Sequence, residues 1–272
     1  MELTKDLNCR ICGSNEFKSV YNKNDFHYVS CHFCDVTRLF PYPTQKETEE
    51  FYGKYFQIKN AENPVYMSDE SWKEFKRIKG LTMKELGIDQ AQFKNKNILD
   101  IGCATGLFVR YAEEYEAKAL GIDISAGLIE IARKNGLNCN CMSLFEIKEK
   151  FDIINFSHVI EHVDNPIKYL EYIYSILNND GSLIIETPCT GLISETFGED
   201  WRFYMPVEHI HLFSQKSLFR ILNDKGFAII NWVRFGSGNT SGSIPDINKK
   251  VADTIAKKTG IGDTIAVYCK KQ

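Results

Sequence analysis

Three sets of residues in this chain have types and spacings that could do chemistry. The first is two Cys-x-x-Cys pairs, Cys9/Cys12 and Cys31/Cys34, with 18 residues between them. That spacing matches a four-thiolate zinc ribbon, in which each knuckle turn places two sulfurs on one side of a tetrahedral ion. The second is Asp100-x-Gly102-x-x-x-Gly106, which follows the apolar run Ile98–Leu99, with Asp123 standing 17 positions after Gly106. Glycines there allow a tight turn and close backbone approach to a ligand, and Asp123 is placed to accept hydrogen bonds from ribose hydroxyls. The loop has neither the third glycine of a dinucleotide fingerprint nor the Lys-Ser/Thr of a phosphate loop, and its acid suits a cationic or zwitterionic ligand. The third set is Glu208-His209 with His211 and, from an earlier segment, His162. A carboxylate beside an imidazole can tune it for proton abstraction near neutral pH.

Elements that could position these groups are legible in order. Phe17–Tyr21 and Phe26–Ser30 alternate like a small hairpin between the cysteine knuckles, a segment too small for its own core unless metal supplies folding energy. Pro41-Tyr42-Pro43 marks a boundary, and Glu47–Tyr55 reads as a helix with Phe51, Tyr52 and Tyr55 clustered. Ser71-Trp72-Lys73-Glu74 fits a capping box opening a helix that stops at Gly87. From Lys96 the pattern alternates. Strands are expected at Ile98–Ile101, Ala117–Ile122, Asn138–Met142, Phe151–Phe156 and Ser182–Glu186, with helices after Gly106, Ser125 and Asn165-Pro166. Ser214 caps a further helix, and Phe227–Phe235 and Thr264–Cys269 are β-rich, joined across a Lys-rich amphipathic helix near Ile247–Lys257. This alternation means a parallel sheet covered on both faces, finished by two strands that suggest an antiparallel edge.

Composition excludes several classes. The net charge is −3, and residues 1–60 carry eight basic and eight acidic side chains, so a nucleic-acid-binding ribbon, which needs a basic surplus, is disfavoured. No apolar run approaches the ~20 residues that span a bilayer, and the N-terminus has no secretory h-region. Nine cysteines without a leader point to a reducing compartment, where paired cysteines hold metal, and the expectation is a cytoplasmic protein.

Together, Ile98–Gly106, Gly121-Ile122-Asp123-Ile124-Ser125, Phe151–Ile154 and Gly181–Pro188 resemble the ordered motifs of class I S-adenosylmethionine-dependent methyltransferases. His158-Val159-Ile160-Glu161-His162-Val163 resembles the Leu-Glu-His-Val segment of the ubiquinone-biosynthesis-like branch. The cysteine pairs followed by Pro-x-Pro and a Tyr-rich helix resemble a subgroup that includes sugar C-methyltransferases. Those enzymes carry a further domain after this fold, whereas this sequence stops at Gln272. The resemblance implies that Asp100 and Gly102 border the methionine part of the cofactor, with Cys103, Ala104 and Gly106 shaping the loop. It implies Asp123 on the ribose, Ile124 against the adenine, Ser143 and Leu144 near the adenine amine, and His158 at the methyl-transfer end. The Glu208-His209…Phe213-Ser214 run is similar to one in the sugar enzymes whose His resembles a general base. This favours His209, with Glu208 as its partner and His162 or His211 as substitutes.

The expected architecture is α/β: a Rossmann-like, seven-stranded, mostly parallel sheet with an antiparallel last strand, plus a small N-terminal zinc ribbon. The expected organisation is ribbon 1–43, helical connector 44–95 and methyltransferase domain 96–272. The expected activity is S-adenosylmethionine-dependent methyl transfer to a small molecule such as a sugar or sugar nucleotide, with structural Zn2+ at Cys9, Cys12, Cys31 and Cys34. Two other readings compete with it: a zinc-ribbon regulatory protein with a non-catalytic fold, and a nucleic-acid methyltransferase. Oligomeric state is not legible.

Overall fold

In the computed structural model, the described residues are 8–23, 26–44, 46–48, 50–51, 68–240 and 243–272. The Tyr52–Tyr55 half of the expected aromatic helix therefore lies outside them. The chain begins with an antiparallel hairpin, β1 (Phe17–Lys23) and β2 (Phe26–Cys31), to which β3 (Thr37–Phe40) adds antiparallel. Helix α1 (Asp69–Glu85) starts at Ser68, whose hydroxyl accepts from the Ser71 amide, three residues before the expected capping box. It stops at left-handed Gly87, as its sequence predicts.

The alternating region then unfolds as read. It runs β4 (Asn97–Ile101), α2 (Leu107–Glu114), β5 (Lys118–Asp123), α3 (Ala126–Lys134), β6 (Cys139–Cys141), β7 (Phe151–Ser157), α4 (Pro166–Ile176) and β8 (Leu177–Thr190). After it come α5 (Leu192–Phe197), β9 (His211–Ser214), α6 (Gln215–Asp224), β10 (Phe227–Phe235), α7 (Asp246–Thr259) and β11 (Thr264–Lys271). Strands β6, β5, β4, β7 and β8 lie side by side and parallel, and β11 joins β8 antiparallel. This is the expected seven-stranded sheet, with one difference at its end. The last strand is not the edge: β11 sits between β8 and β10, leaving β10 outermost and parallel to β8.

Alternation along each strand builds two cores. Leu99, Ile154, Leu183, Ile185 and Val267 face α4 and α6, while Ile98, Ile153, Ile184 and Ala266 face α1, α2 and α3. A feature absent from the sequence reading is the length of β8. It bulges at the expected Asn178–Gly181 turn, then continues to Thr190, where Cys189 and Thr190 pair with Phe213 and Ser214 of β9. Strand β9 in turn pairs with β3, so the N-terminal hairpin and the parallel sheet form one continuous hydrogen-bonded ladder. Among the described residues no helix is long and apolar enough to cross a membrane.

The β10–β11 connection returns through Gly262, where an added Cβ would lie 2.4 Å from the Phe235 backbone nitrogen and oxygen. Backbone paired in a ladder cannot move aside as a flexible side chain can. Gly262→Ala is therefore expected to cost roughly 3 kcal/mol, read as a fall in chemical-denaturation midpoint. Unchanged stability would show that the strands separate freely there.

Candidate active site

The carboxyl ends of β4, β5, β7 and β8 converge on one polar patch, where parallel sheets bind ligands. At the end of β4, Gly102 takes φ +71°, and a Cβ there would stand 2.4 Å from the Val159 side chain. Only glycine lets the 158–162 turn lie directly on the loop. Gly106 (φ +84°) opens α2 with no side chain to cap it, and Ala104 is also left-handed. Asp123 braces this loop: its carboxylate accepts from the Ala104 amide at 2.9 Å and the Ser125 amide at 2.8 Å. The α3 N-cap is Ser125, not Asp123, so the acid is not spent on capping. Ile124 beside it is 73% exposed, an apolar surface next to the cradle. Cys103 points inward, its thiol against that of Cys139. Ser143 caps the short turn Leu144–Glu146 through a reciprocal pair with Glu146, and Leu144 turns into the main core. The Ser143 hydroxyl is thus occupied locally.

Asp100 is buried and accepts from Asn155 Nδ2 at 2.6 Å. Burial dominates over that hydrogen bond and lifts its carboxyl to about 7. A chain of contacts leads away from it. The Ser157 hydroxyl donates to Asn155 Oδ1 (2.8 Å), and Lys79 Nζ from α1 donates to Ser157 Oγ (3.2 Å) and Glu186 Oε2 (3.3 Å). Burial pulls the Glu186 carboxyl upward, but Lys79 and His158 outweigh it and hold it at about 2. His158, left-handed at φ +54°, sets its ring 3.2 Å from Glu186 and 3.4 Å from Glu161. Desolvation opposes its charge, yet the two carboxylates raise its pKa, with water screening part of the effect because the side chain is 47% exposed.

The second cluster surrounds Glu161, which has no exposed surface. Its Oε2 accepts from the Thr187 hydroxyl at 2.9 Å, while Oε1 is buried and has no aligned hydrogen-bond donor. His162 Nδ1 donates to the Glu208 carbonyl (2.8 Å), and His209 Nδ1 donates to the Phe203 carbonyl (2.8 Å). A carbonyl can only accept, so both rings carry a proton on Nδ1. The rings are 4.9 Å apart at 64°. Burial first, opposed by Glu161, lowers His209 to about 4, so it is neutral at pH 7. Val207, a β-branched residue at φ +73°, strains the backbone two positions before it.

Two sequence expectations change here. The carboxylate beside the imidazoles is Glu161; Glu208 contributes its backbone carbonyl, because adjacent residues in this loop face different ways. Arg202 is held bidentate by buried Asp263 at 3.0 Å. His211 is fully buried between Val163 O and the Tyr42 hydroxyl, and burial drives its pKa down to about 3, which leaves it structural. Sequence reasoning missed Lys79, Asn155, Glu186 and Thr187 and gave Glu161 no role. Each carried a signal: a lysine on the Trp72/Met83 stripe of α1, an asparagine within an apolar strand, and acids ending or following apolar runs.

The sulfurs of Cys9, Cys12, Cys31 and Cys34 lie within 4.8 Å of one another, with Cys9–Cys34 and Cys12–Cys31 at 3.5 Å. Left-handed Gly13 and Asp35 close the two knuckles at equivalent positions. Thiolates on a zinc ion stand roughly 3.8 Å apart, so these four residues fit the metal. The Glu161, His162 and His209 ligand atoms also lie within 4.8 Å of one another.

Residues 73–231 match the family model described as a methyltransferase domain. The ubiquinone biosynthesis O-methyltransferase of Coxiella burnetii (strain Dugway 5J108-111) is 28% identical over 107 residues, covering 36% of this chain and 46% of that protein. The chain thus spans about half the length of the curated relatives it matches. A structure of an S-adenosylmethionine-dependent methyltransferase from Archaeoglobus fulgidus superposes with TM-score 0.55 at 19% identity, covering 80% of this chain and 99% of that one. The 4+2 cyclase SpnF superposes at 0.57 and 18% identity, covering 85% and 97%. These likenesses are of fold.

With Asp100 titrating near 7, a cation meets an ionised acid above that pH and a neutral one below. Affinity for S-adenosylmethionine is expected to fall by up to about 30-fold from pH 8 to pH 5.5, measured by isothermal titration. Asp100→Asn should bind weakly with a flat profile; pH-independent binding by the unsubstituted protein would remove Asp100 from the cradle.

Proposed function

The chain belongs to the methyltransferase-domain family of class I S-adenosylmethionine-dependent enzymes, and from that premise we propose that it methylates a small molecule using His209 as general base. The observation that carries the reading is the neutral His209 ring. Its Nδ1 proton is fixed by the Phe203 carbonyl, its Nε2 lone pair is free, and a buried carboxylate stands beside it.

When bound, S-adenosylmethionine supplies an electrophilic methyl on a sulfonium. Asp100 would balance the cationic end, Asp123 would offer its remaining lone pairs to the ribose, and exposed Ile124 would give the adenine an apolar surface. The glycine loop supplies backbone shape at Gly102, Cys103, Ala104 and Gly106. His209 Nε2 accepts the proton that the acceptor loses as its electron pair moves to the methyl carbon. The resulting imidazolium is compensated by Glu161, which costs no reorganisation because Thr187 and the peptide carbonyls already hold the parts. Phe203 packs against the His209 ring, Trp201 packs on Phe203 and Tyr204 on Trp201, and this aromatic layer keeps water from the proton path. The acceptor class we favour has an ionisable O–H, or a C–H next to a carbonyl, as in a sugar or sugar nucleotide. The Glu208–Ser214 run supports this by its resemblance to sugar C-methyltransferases.

A second reading is favoured by Glu161 Oε1, buried without an aligned donor. Glu161, His162 and His209 could instead hold a divalent cation that orients the acceptor. Each imidazole already gives its other nitrogen to a carbonyl, as metal-bound histidines do.

His209→Ala should leave S-adenosylmethionine affinity within about twofold. It should lower turnover on a panel of nucleotide sugars and phenols at least about 10²-fold. Retained turnover refutes the base. Metal analysis separates the readings: one divalent ion per chain fits the ribbon alone, whereas a second that disappears in His209→Ala supports the cation.

A further inference from the structure

The residues that carry His209 have little structure of their own. Between α5 and β9 the chain makes turns, and its aromatic side chains form a third core together with the N-terminal hairpin. Trp201, Tyr204 and Leu212 pack with Tyr28 and Leu39, flanked by Tyr21, Phe26 and Phe203. The Tyr204 ring lies between two hairpin tyrosines, 4.8 Å from Tyr28 and 5.3 Å from Tyr21. The fully buried Tyr28 hydroxyl donates to the carbonyl oxygen of His209 itself at 3.1 Å.

Contacts continue residue by residue. The Leu39 amide donates to Ile210 O (2.9 Å), β3 pairs Arg38 and Thr37 with His211 and Leu212, and the Ser214 hydroxyl donates to Asp35 in the second cysteine knuckle (2.9 Å). On the opposite side the loop is held by the 161–163 segment: the Glu161 carbonyl accepts from the Ile210 and His211 amides, His162 Nδ1 donates to the Glu208 carbonyl, and His211 Nδ1 donates to the Val163 carbonyl. One wall of the active-site loop is therefore made by β1–β3, and that hairpin joins at Cys9, Cys12, Cys31 and Cys34. A hairpin of this size cannot fold on its own core, so a metal at the four cysteines sets the shape of that wall.

We propose that the cysteine ribbon is the positioning device for His209, with Tyr28 as the positioning residue that transmits its geometry. The proposal rests on the reading of His209 as the base. It assigns the ribbon a role inside the chain, without nucleic acid or a partner protein.

The test uses the full-length, zinc-loaded protein labelled with 15N-histidine, whose six imidazoles are assigned by single His→Ala substitutions. Tyr28→Phe keeps the ring and removes only the hydroxyl. It is expected to shift the His209 imidazole resonances and those of His162 packed edge-on against it, and to leave zinc content unchanged. It should lower kcat about tenfold at constant KM for S-adenosylmethionine. Tyr42→Phe, whose hydroxyl reaches His211, is expected to move His211 and leave His209 in place. Zinc extraction by chelation is expected to move the same His209 signals. His209 signals that stay put in Tyr28→Phe overturn the proposal, as does an equal shift of all six imidazoles in both variants. The two readings fail separately. If His209→Ala keeps full turnover while Tyr28→Phe still moves His209, the base assignment falls and the coupling stands; the reverse pattern removes the coupling alone.

Discussion

The structure depends on keeping an ionised carboxylate, Glu161, away from water. A buried charge is tolerated only when donors and opposite charges surround it. Here they come from every element at the mouth of the sheet. Thr187 from the long β8 donates directly and His158 supplies the opposite charge from the same turn, while His162 and the neutral ring of His209 close the site around it. Burial alone would neutralise the acid, yet these partners hold it ionised near 2. Its main-chain carbonyl meanwhile anchors Ile210 and His211. Displacing any partner would leave the charge uncompensated, so the 158–162 turn, the end of β8 and the His209 loop are held as one unit.

That unit explains the unusual backbone around it. Ala104, His158 and Val207 are all left-handed without being glycine, a conformation costing of order 1–3 kcal/mol each. All three border the cradle or the imidazole pair. Gly102 has the complementary role: its missing Cβ lets Val159 rest on the cofactor loop, so the loop and the Glu161 turn cannot shift independently. The Lys79–Glu186–His158 chain extends the coupling to α1, whose same buried face packs in the core through Trp72 and Met83.

Much of this was legible in the sequence because it is local. Strand–loop–helix alternation, the Gly102 and Gly106 turn, Asp123 at the end of β5 and the cysteine knuckles are set by spacing within a few residues, and spacing is what a sequence displays. The misreadings are all long-range. Glu208 and Glu161 are equally plausible partners for His209 on paper; which one faces it depends on how a loop and a turn 46 residues apart are docked. Arg202 looks available until Asp263, 61 positions later, occupies it. Lys79 reads as one basic residue among many until α1 is laid across Glu186. The hairpin's third strand gave no sign that it would pair with β9, because an edge strand's partner is chosen by shape rather than by pattern.

The distribution of charge bears on how the site could tell a methyl donor from its spent product. Asp100, Asp123, Glu161 and Glu186 line the carboxyl edge of the sheet against two compensating groups, Lys79 and His158. Both of these cations are already committed to Glu186 and Glu161, which leaves Asp100 and Asp123 to face the ligand. Asp100 is held near neutrality by its burial, so a bound cation does more than satisfy a fixed charge: it draws the carboxyl into its ionised form. A sulfonium would gain that interaction, and the neutral thioether left after transfer would not. With Asp100 in the cradle as proposed, discrimination between donor and product would follow from one acid whose pKa has been lifted by desolvation. In the reaction we propose, the proton taken from the acceptor would go to the other cluster, where Glu161 is already ionised. On that proposal the two halves of the site would divide the charges of the reaction, with a carboxyl that can change state at the glycine loop and one that stays ionised beside the imidazoles.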